Sequence, residues 1–348
     1  MKKSFCILTG VILLCLVLSA CSISSISSIT NKEPSKVGEV TKTEASRQNP
    51  GTKTTDPAAE VPETKPGKKG ETEPQTTAAP VKDVYQVGDI IAVKNLKMIY
   101  VSSGVYASDS RYYQPKDGFQ FIFLEFYVEY SGSGTAAVSY FDFDGYADGY
   151  AVDQKYFDEE ALSGSLSAGR WNIGKIYFEV PENAEEIEIE YEYDFWNSKK
   201  LVFAYEGEKT SDFEPEAKTE PTEGAFKPGD ILDTGRFRIT HLNCDYFTSD
   251  NMFVQPDEGN VFIYLEFEVE NISDSDRTIG DYDFHCYADG RVFPGTSMRD
   301  DELFATLSPG RKAKGTVAFQ IPENASVVEV EYEADLFSDK LIVFTFEK

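Results

Sequence analysis

Gly88-Asp89-Ile90 returns as Gly229-Asp230-Ile231, 141 residues further along the chain. The same displacement relates QPKDGFQFIFLEFYVEY, from Gln114, to QPDEGNVFIYLEFEVEN, from Gln255. It also relates YADG at 146–149 to YADG at 287–290, and LSAGRWNIGKIYFEVPENA, from Leu166, to LSPGRKAKGTVAFQIPENA, from Leu307. The register holds until near the C-terminus, where Leu201 meets Leu341. A chain written twice in this way folds as two similar units, and whatever pattern both copies keep is a requirement of the fold.

The shared pattern is alternation. Ile122, Leu124, Phe126 and Val128 share one parity, with Glu125, Tyr127 and Glu129 between them. The second copy keeps Ile263, Leu265, Phe267 and Val269 and sets Glu266, Glu268 and Glu270 against them. Ile187, Ile189 and Tyr191 alternate with Glu188, Glu190 and Glu192; Val328, Val330 and Tyr332 alternate with Glu329, Glu331 and Glu333. A period of two over such lengths predicts half-buried strands. Asp148-Gly149 and Asp289-Gly290 supply tight-turn residues, and Pro181 and Pro322 mark strand ends because proline has no N–H for the ladder. Many short antiparallel strands, and no convincing amphipathic helix, predict an all-β fold: two tandem immunoglobulin-like antiparallel sandwiches over 84–206 and 227–348.

The N-terminus is of another kind. Lys2 and Lys3 precede a 12-residue apolar run, Ile7 to Leu18, which is short for a membrane-spanning helix and has the layout of an export signal over residues 1–20. Leu18-Ser19-Ala20-Cys21 resembles a bacterial lipobox, with Cys21 as the lipid-bearing residue and the membrane as its partner. Residues 21–83 are rich in Ser, Thr, Pro, Lys and Glu and poor in large apolar side chains, the composition of a disordered tether. Residues 207–226 form a shorter linker of the same character.

The order Gly-Asp, long apolar strand, Asp-Gly hairpin, Leu-x-x-Gly, Gly-x-x-x-Phe and Pro before the closing strand resembles the immunoglobulin-like domain of unknown function common in Gram-positive surface lipoproteins, which is grouped with the immunoprotective extracellular protein superfamily. The resemblance covers both copies. It implies β-sandwiches outside the cell and carries over no catalytic residue.

The formal net charge is −27, and the tether contributes none of it, so residues 84–348 carry the excess. That field disfavours nucleic acid and anionic lipid. Of the five cysteines, only Cys244 and Cys286 remain as a candidate disulfide, or as two separate thiols. His241-x-x-Cys244 and His285-Cys286 invite a zinc reading. Neighbours on a strand point to opposite faces, which argues against one shared ion. Asp142 to Gly149 lacks the oxygen ligand that a calcium loop needs at position 5, since Tyr146 stands there. The glutamate rows read as solvent-facing or edge protection, with a cation or a basic partner as the alternative.

No nucleophile elbow, phosphate loop or dinucleotide fingerprint is present, so we expect no enzyme and no cofactor. The segment Tyr100–Tyr113, with Tyr100, Tyr106, Tyr112 and Tyr113, has the Tyr/Ser/Gly/Asp composition of a binding loop, and its counterpart from His241 has changed almost entirely. The expectation is therefore a lipid-anchored extracytoplasmic protein. It displays two non-catalytic binding or structural modules to an envelope protein, a wall polymer or a small ligand. The alternative is a cation-dependent sensor, or an accessory lipoprotein of an envelope enzyme or transporter.

Overall fold

The computed structural model describes residues 35–39, 84–157, 160–194, 197–249, 251–252, 254–296, 299–333 and 341–347. The export signal and Cys21 lie outside the described residues. Of the tether only Ser35–Glu39 is described, as a strand pairing antiparallel with Asp89–Val93.

Each copy is a sandwich of two sheets. In the first domain one sheet runs Asp89–Val93, Leu96–Tyr106, Phe119–Tyr130 and Trp171–Pro181, all antiparallel neighbours. The other runs Tyr150–Lys155, Phe143–Ala147, Ile187–Asp194 and Lys199–Ala204. Tyr150–Lys155 also pairs with Trp171–Pro181 and joins the two sheets along one edge. The second domain repeats the plan. Ile231–Asp233, Phe237–Phe247, Asn260–Asn271 and Lys312–Pro322 form one sheet. Arg291–Phe293, Phe284–Ala288, Val328–Glu333 and Leu341–Thr345 form the other. A small two-stranded ribbon accompanies each, Thr135–Ser139 with Ser163–Ser167 and Arg277–Gly280 with Phe304–Leu307. No α-helix occurs among the described residues.

The alternating positions fill the cores. Ile122, Leu124, Phe126 and Val128 are fully buried, as are Ile263, Leu265, Phe267 and Val269. Each such side chain is worth ~1.5–3 kcal/mol of apolar transfer. Tyr100 stacks on Phe126 in the first core and Phe203 meets both edge-on, and His241, Phe267 and Phe344 occupy the matching place in the second.

The repeated YADG is a small machine of four parts. Ala147 and Ala288 are buried, and their tyrosines alternate to the outer face. Asp148 and Gly149 have φ of 48° and 79°, and Asp289 and Gly290 have φ of 50° and 91°, the left-handed pair that a two-residue hairpin needs. The aspartate then clamps the next loop: Asp148 Oδ1 accepts from the Glu185 and Glu186 N–H groups, and Asp289 Oδ1 accepts from those of Ser326 and Val327. Gly174 and Gly315 of the Gly-x-x-x-Phe motif serve a close approach. A Cβ there would lie 2.7 Å from the Leu162 Cα or 2.6 Å from that of Leu303.

Residues 207–226 depart from the expected tether-like linker. Lys209–Thr210 pairs with Ser102 and Ser103, and the Ser211 N–H donates to the Val101 carbonyl. Phe213 packs edge-on against Tyr127 at 4.8 Å, and the Phe226 N–H donates to the Val343 carbonyl. Two phenylalanines spaced along a polar segment suffice to seat it on both domains.

Candidate interaction surfaces

The first surface is the loop between Leu96–Tyr106 and Phe119–Tyr130. Its expected tyrosines do not act together. Tyr100 lies inside the strand, fully buried, with its hydroxyl donating to the Ala204 carbonyl at 3.1 Å; burial pushes its phenol up. This corrects its assignment to a binding loop: the periodic core residue is read as a loop residue because Ser102, Ser103 and Gly104 follow it. Tyr106 is half-buried against Phe157 and Tyr177. Only Tyr112 and Tyr113 project, at 77% and 64% exposure, with the Arg111 guanidinium over the Tyr112 ring.

The two loops share a brace. Gln114 Nε2 donates to the Ser108 and Ser110 carbonyls, and Gln255 Nε2 donates to those of Ser249 and Asn251, all near 2.9–3.0 Å. One frame therefore carries two different tips: Arg111-Tyr112-Tyr113 in the first domain, and exposed Met252 in the second.

Beside the first loop a cleft of ≈ 380 Å³ is lined by Lys116, Phe119, Tyr150, Asp153, Glu179 and Pro181, among others. Glu179 is 3% exposed and lies 3.0 Å from the ammonium groups of both Lys116 and Lys155. Burial would raise its pKa. The Lys116 backbone N–H and the two lysines outweigh burial and hold it at about 2. In the second domain the corresponding residues are Gln320 and Asp257, which bond to each other as amide and carboxylate.

The second surface is the seam between the domains. Arg170, 3% exposed, donates from Nε to Glu331 at 2.7 Å and from Nη2 to Glu329 at 2.6 Å. Its guanidinium lies over the Tyr287 ring, 4.5 Å from the centroid. Glu331 also accepts from the Ser167 hydroxyl at 2.5 Å, and Glu329 from Lys218 Nζ and the Thr222 N–H. Burial would raise the Glu329 pKa; Lys218, Thr222 and Arg170 together lower it to about 2. Around this core the Trp171 N–H donates to the Gly290 carbonyl, Arg291 to the Ile173 carbonyl, and the Tyr287 hydroxyl to the Ser165 carbonyl. Tyr287 and Val292 belong to the first domain's core cluster. The row from Glu329 is thus no solvent-facing guard, as alternation alone suggests. Its strand is buried on both sides, by its own core and by the neighbouring domain. Asp335, which continues the same parity beyond Glu333 in the sequence, lies outside the described residues.

The remaining candidates separate. Cys244 and Cys286 are free, which removes the disulfide reading: Cys286 is enclosed in the core, while the half-buried Cys244 points its sulfur at the Glu347 carbonyl, 3.7 Å away. His241 is fully buried between Phe267 and Phe344, and burial lowers it to about 4. His285 faces Glu333 at 3.6 Å. Two of these four residues, His241 and Cys286, sit in the second domain's core, and Cys244 and His285 lie half-buried at its margin.

The model of the Domain of unknown function (DUF4352) matches the chain twice, at residues 85–201 and 226–342. The chain belongs to the DUF4352 family. Both matched DUF4352 stretches coincide with the two sandwiches. Solved structures with similarity to the chain include three bacterial proteins. The yjhA protein of Bacillus subtilis is 17% identical over 35% of this chain and 98% of its own, with a TM-score of 0.27. An uncharacterized β-sandwich protein of Clostridium difficile is 12% identical over 39% and 100%, with a TM-score of 0.25. The ycdA protein of Bacillus subtilis, described as a candidate lipoprotein, is 10% identical over 51% and 71%, with a TM-score of 0.27. Among curated proteins no sequence matches. No helix of the described residues is long and apolar enough to cross a membrane.

Proposed function

We propose that this DUF4352 protein is a lipid-anchored, extracytoplasmic binding module without catalytic activity. Its two sandwiches form one unit that presents the 107–118 loop to an envelope protein or wall polymer. The observation that carries the reading is the pair of loops with one glutamine brace and divergent tips. A frame kept in both copies while its tip changes is what separate contacts require. Arg111, Tyr112 and Tyr113 supply two aromatic faces and a cation at little entropic cost. The order of Lys2, Lys3, apolar run and Cys21 supports the anchor.

Two experiments test this. Residues 22–348, immobilised and exposed to envelope extract, should retain species that a Tyr112→Ser/Tyr113→Ser variant loses; identical captures from both would defeat the loop assignment. Replacing Cys21 by Ser in the full chain should move the protein out of the membrane fraction, and unchanged fractionation would defeat the anchor. The cation-dependent alternative is weakened by the seam, because Glu329 and Glu331 already hold Arg170 and Lys218.

A further inference from the structure

The seam joins two surfaces, and the duplication has made a second example of each. Arg170 leaves the turn Leu166-Ser-Ala-Gly-Arg; Arg311 leaves Leu307-Ser-Pro-Gly-Arg. The two turns are built alike. The arginine N–H donates to the serine carbonyl at 2.9 Å in both, and Gly169 and Gly310 have the same φ of 75°. Arg170 is buried against the second domain, whereas Arg311 is exposed. The receiving face is likewise duplicated. Tyr287, Glu329 and Glu331 correspond to Tyr146, Glu188 and Glu190 of the first domain, which are half-buried. We infer that one molecule's Arg311 turn docks on the Tyr146–Glu188–Glu190 face of the next, so that chains associate head to tail through a second copy of the internal seam.

The substitutions between the two versions are complementary. In the seam Trp171 stands in register with Arg291, an aromatic from the donor side beside a cation from the receiver. The counterparts are Lys312 and Tyr150, a cation from the donor side beside an aromatic that is 79% exposed. Gly164 is small because Val292 abuts it; a Cβ there would lie 2.6 Å from Val292 Cγ1. Its counterpart is Ala305, and the residue that it would face is Ala151, so volume added on one side is removed on the other. Lys200 lies 3.0 Å from Glu190, so the incoming arginine would share a carboxylate with a lysine, as Arg170 shares Glu329 with Lys218 in the seam. One rim contact reverses sign. Thr135, which donates to Glu333 at 3.1 Å, corresponds to Asp276, and Glu192 would oppose it. The contact between molecules is therefore weaker than the seam.

Donor and receiver are different surfaces, so a pair of molecules retains one unused donor and one unused receiver and growth beyond the dimer is open to it. Sedimentation of residues 22–348 over rising concentration, at low salt, should give a mass that climbs through dimer and beyond, falling back as salt rises. Arg311→Glu should abolish this climb, and so should Glu188→Gln/Glu190→Gln. Mixing the two variants should give a dimer and nothing longer, because one intact donor meets one intact receiver. Circular dichroism of Arg311→Glu, an exposed site, should match the parent. A chain that stays monomeric to ~1 mM overturns the inference, whether its own tether fills the face or nothing does. So does association that Arg311→Glu leaves intact, or a mixture of variants that remains monomeric.

Discussion

Arg170 and Arg311 occupy the same turn, yet their removal should have very different consequences. Arg170→Met leaves Glu329 and Glu331 buried without their guanidinium, a loss of about 3–5 kcal/mol for a broken buried pair. Arg311→Met, on an exposed turn, should stay within about 0.5 kcal/mol of the parent. Urea denaturation of both variants checks this contrast. His241 sets a pH limit at the same scale. Its ordinary pKa of 6.5 falls to about 4 in the folded chain, so between those values the unfolded state binds more protons. Stability should therefore fall as pH drops from 6.5 towards 4, by ~3 kcal/mol at most for this group. His241→Phe, which keeps the ring between Phe267 and Phe344, should flatten that part of the curve; an unchanged slope would assign it elsewhere. Glu329, held near 2, adds stability that is present above its ordinary 4.5 and is lost as pH falls through 2.

Strands were the most legible level of this chain, because alternation is a direct print of a sheet with one wet face. Ile122 to Val128 and their counterparts point inward as the pattern demands. The pattern fails at Tyr100, where a bulge between Tyr100 and Ser102 breaks the count and small polar residues follow, so a core aromatic looks like a loop residue. It fails again at Glu329 and Glu331. Alternation distinguishes two faces of a strand but is silent about whether a second domain covers the outer one. Arg170, the residue that could have exposed this, looks like any turn arginine in sequence. The packing of Phe213 and Phe226 was hidden for a similar reason, since two isolated aromatics do not disturb a polar composition. Gly174, by contrast, was visible as a motif and unexplained until the crossing of Leu162 appeared. Gly174→Ala and Gly315→Ala should each cost roughly 1–3 kcal/mol through overpacking against backbone, measurable as a lowered urea midpoint.

At the scale of the molecule, buried ion pairs, a bridging strand contact and a seated linker tie the two domains together. Independent domains on a free linker would melt in two steps. Here calorimetry should show one cooperative transition that splits into two in Arg170→Met, and a parent with two resolved transitions would contradict the tied arrangement. Residues 207–226 should resist limited proteolysis in the parent and become susceptible in that variant, because Lys218 and Thr222 lose their fixed carboxylate.

The two braced tips are consequently carried on domains that the seam and the seated linker tie to each other. On the proposed function, a wall polymer or partner array whose repeat matches the spacing of the tips would engage both at once, and the second contact would then cost little additional freedom. An array with another repeat would engage only one. The buried arginine would thereby act as the divider of a ruler.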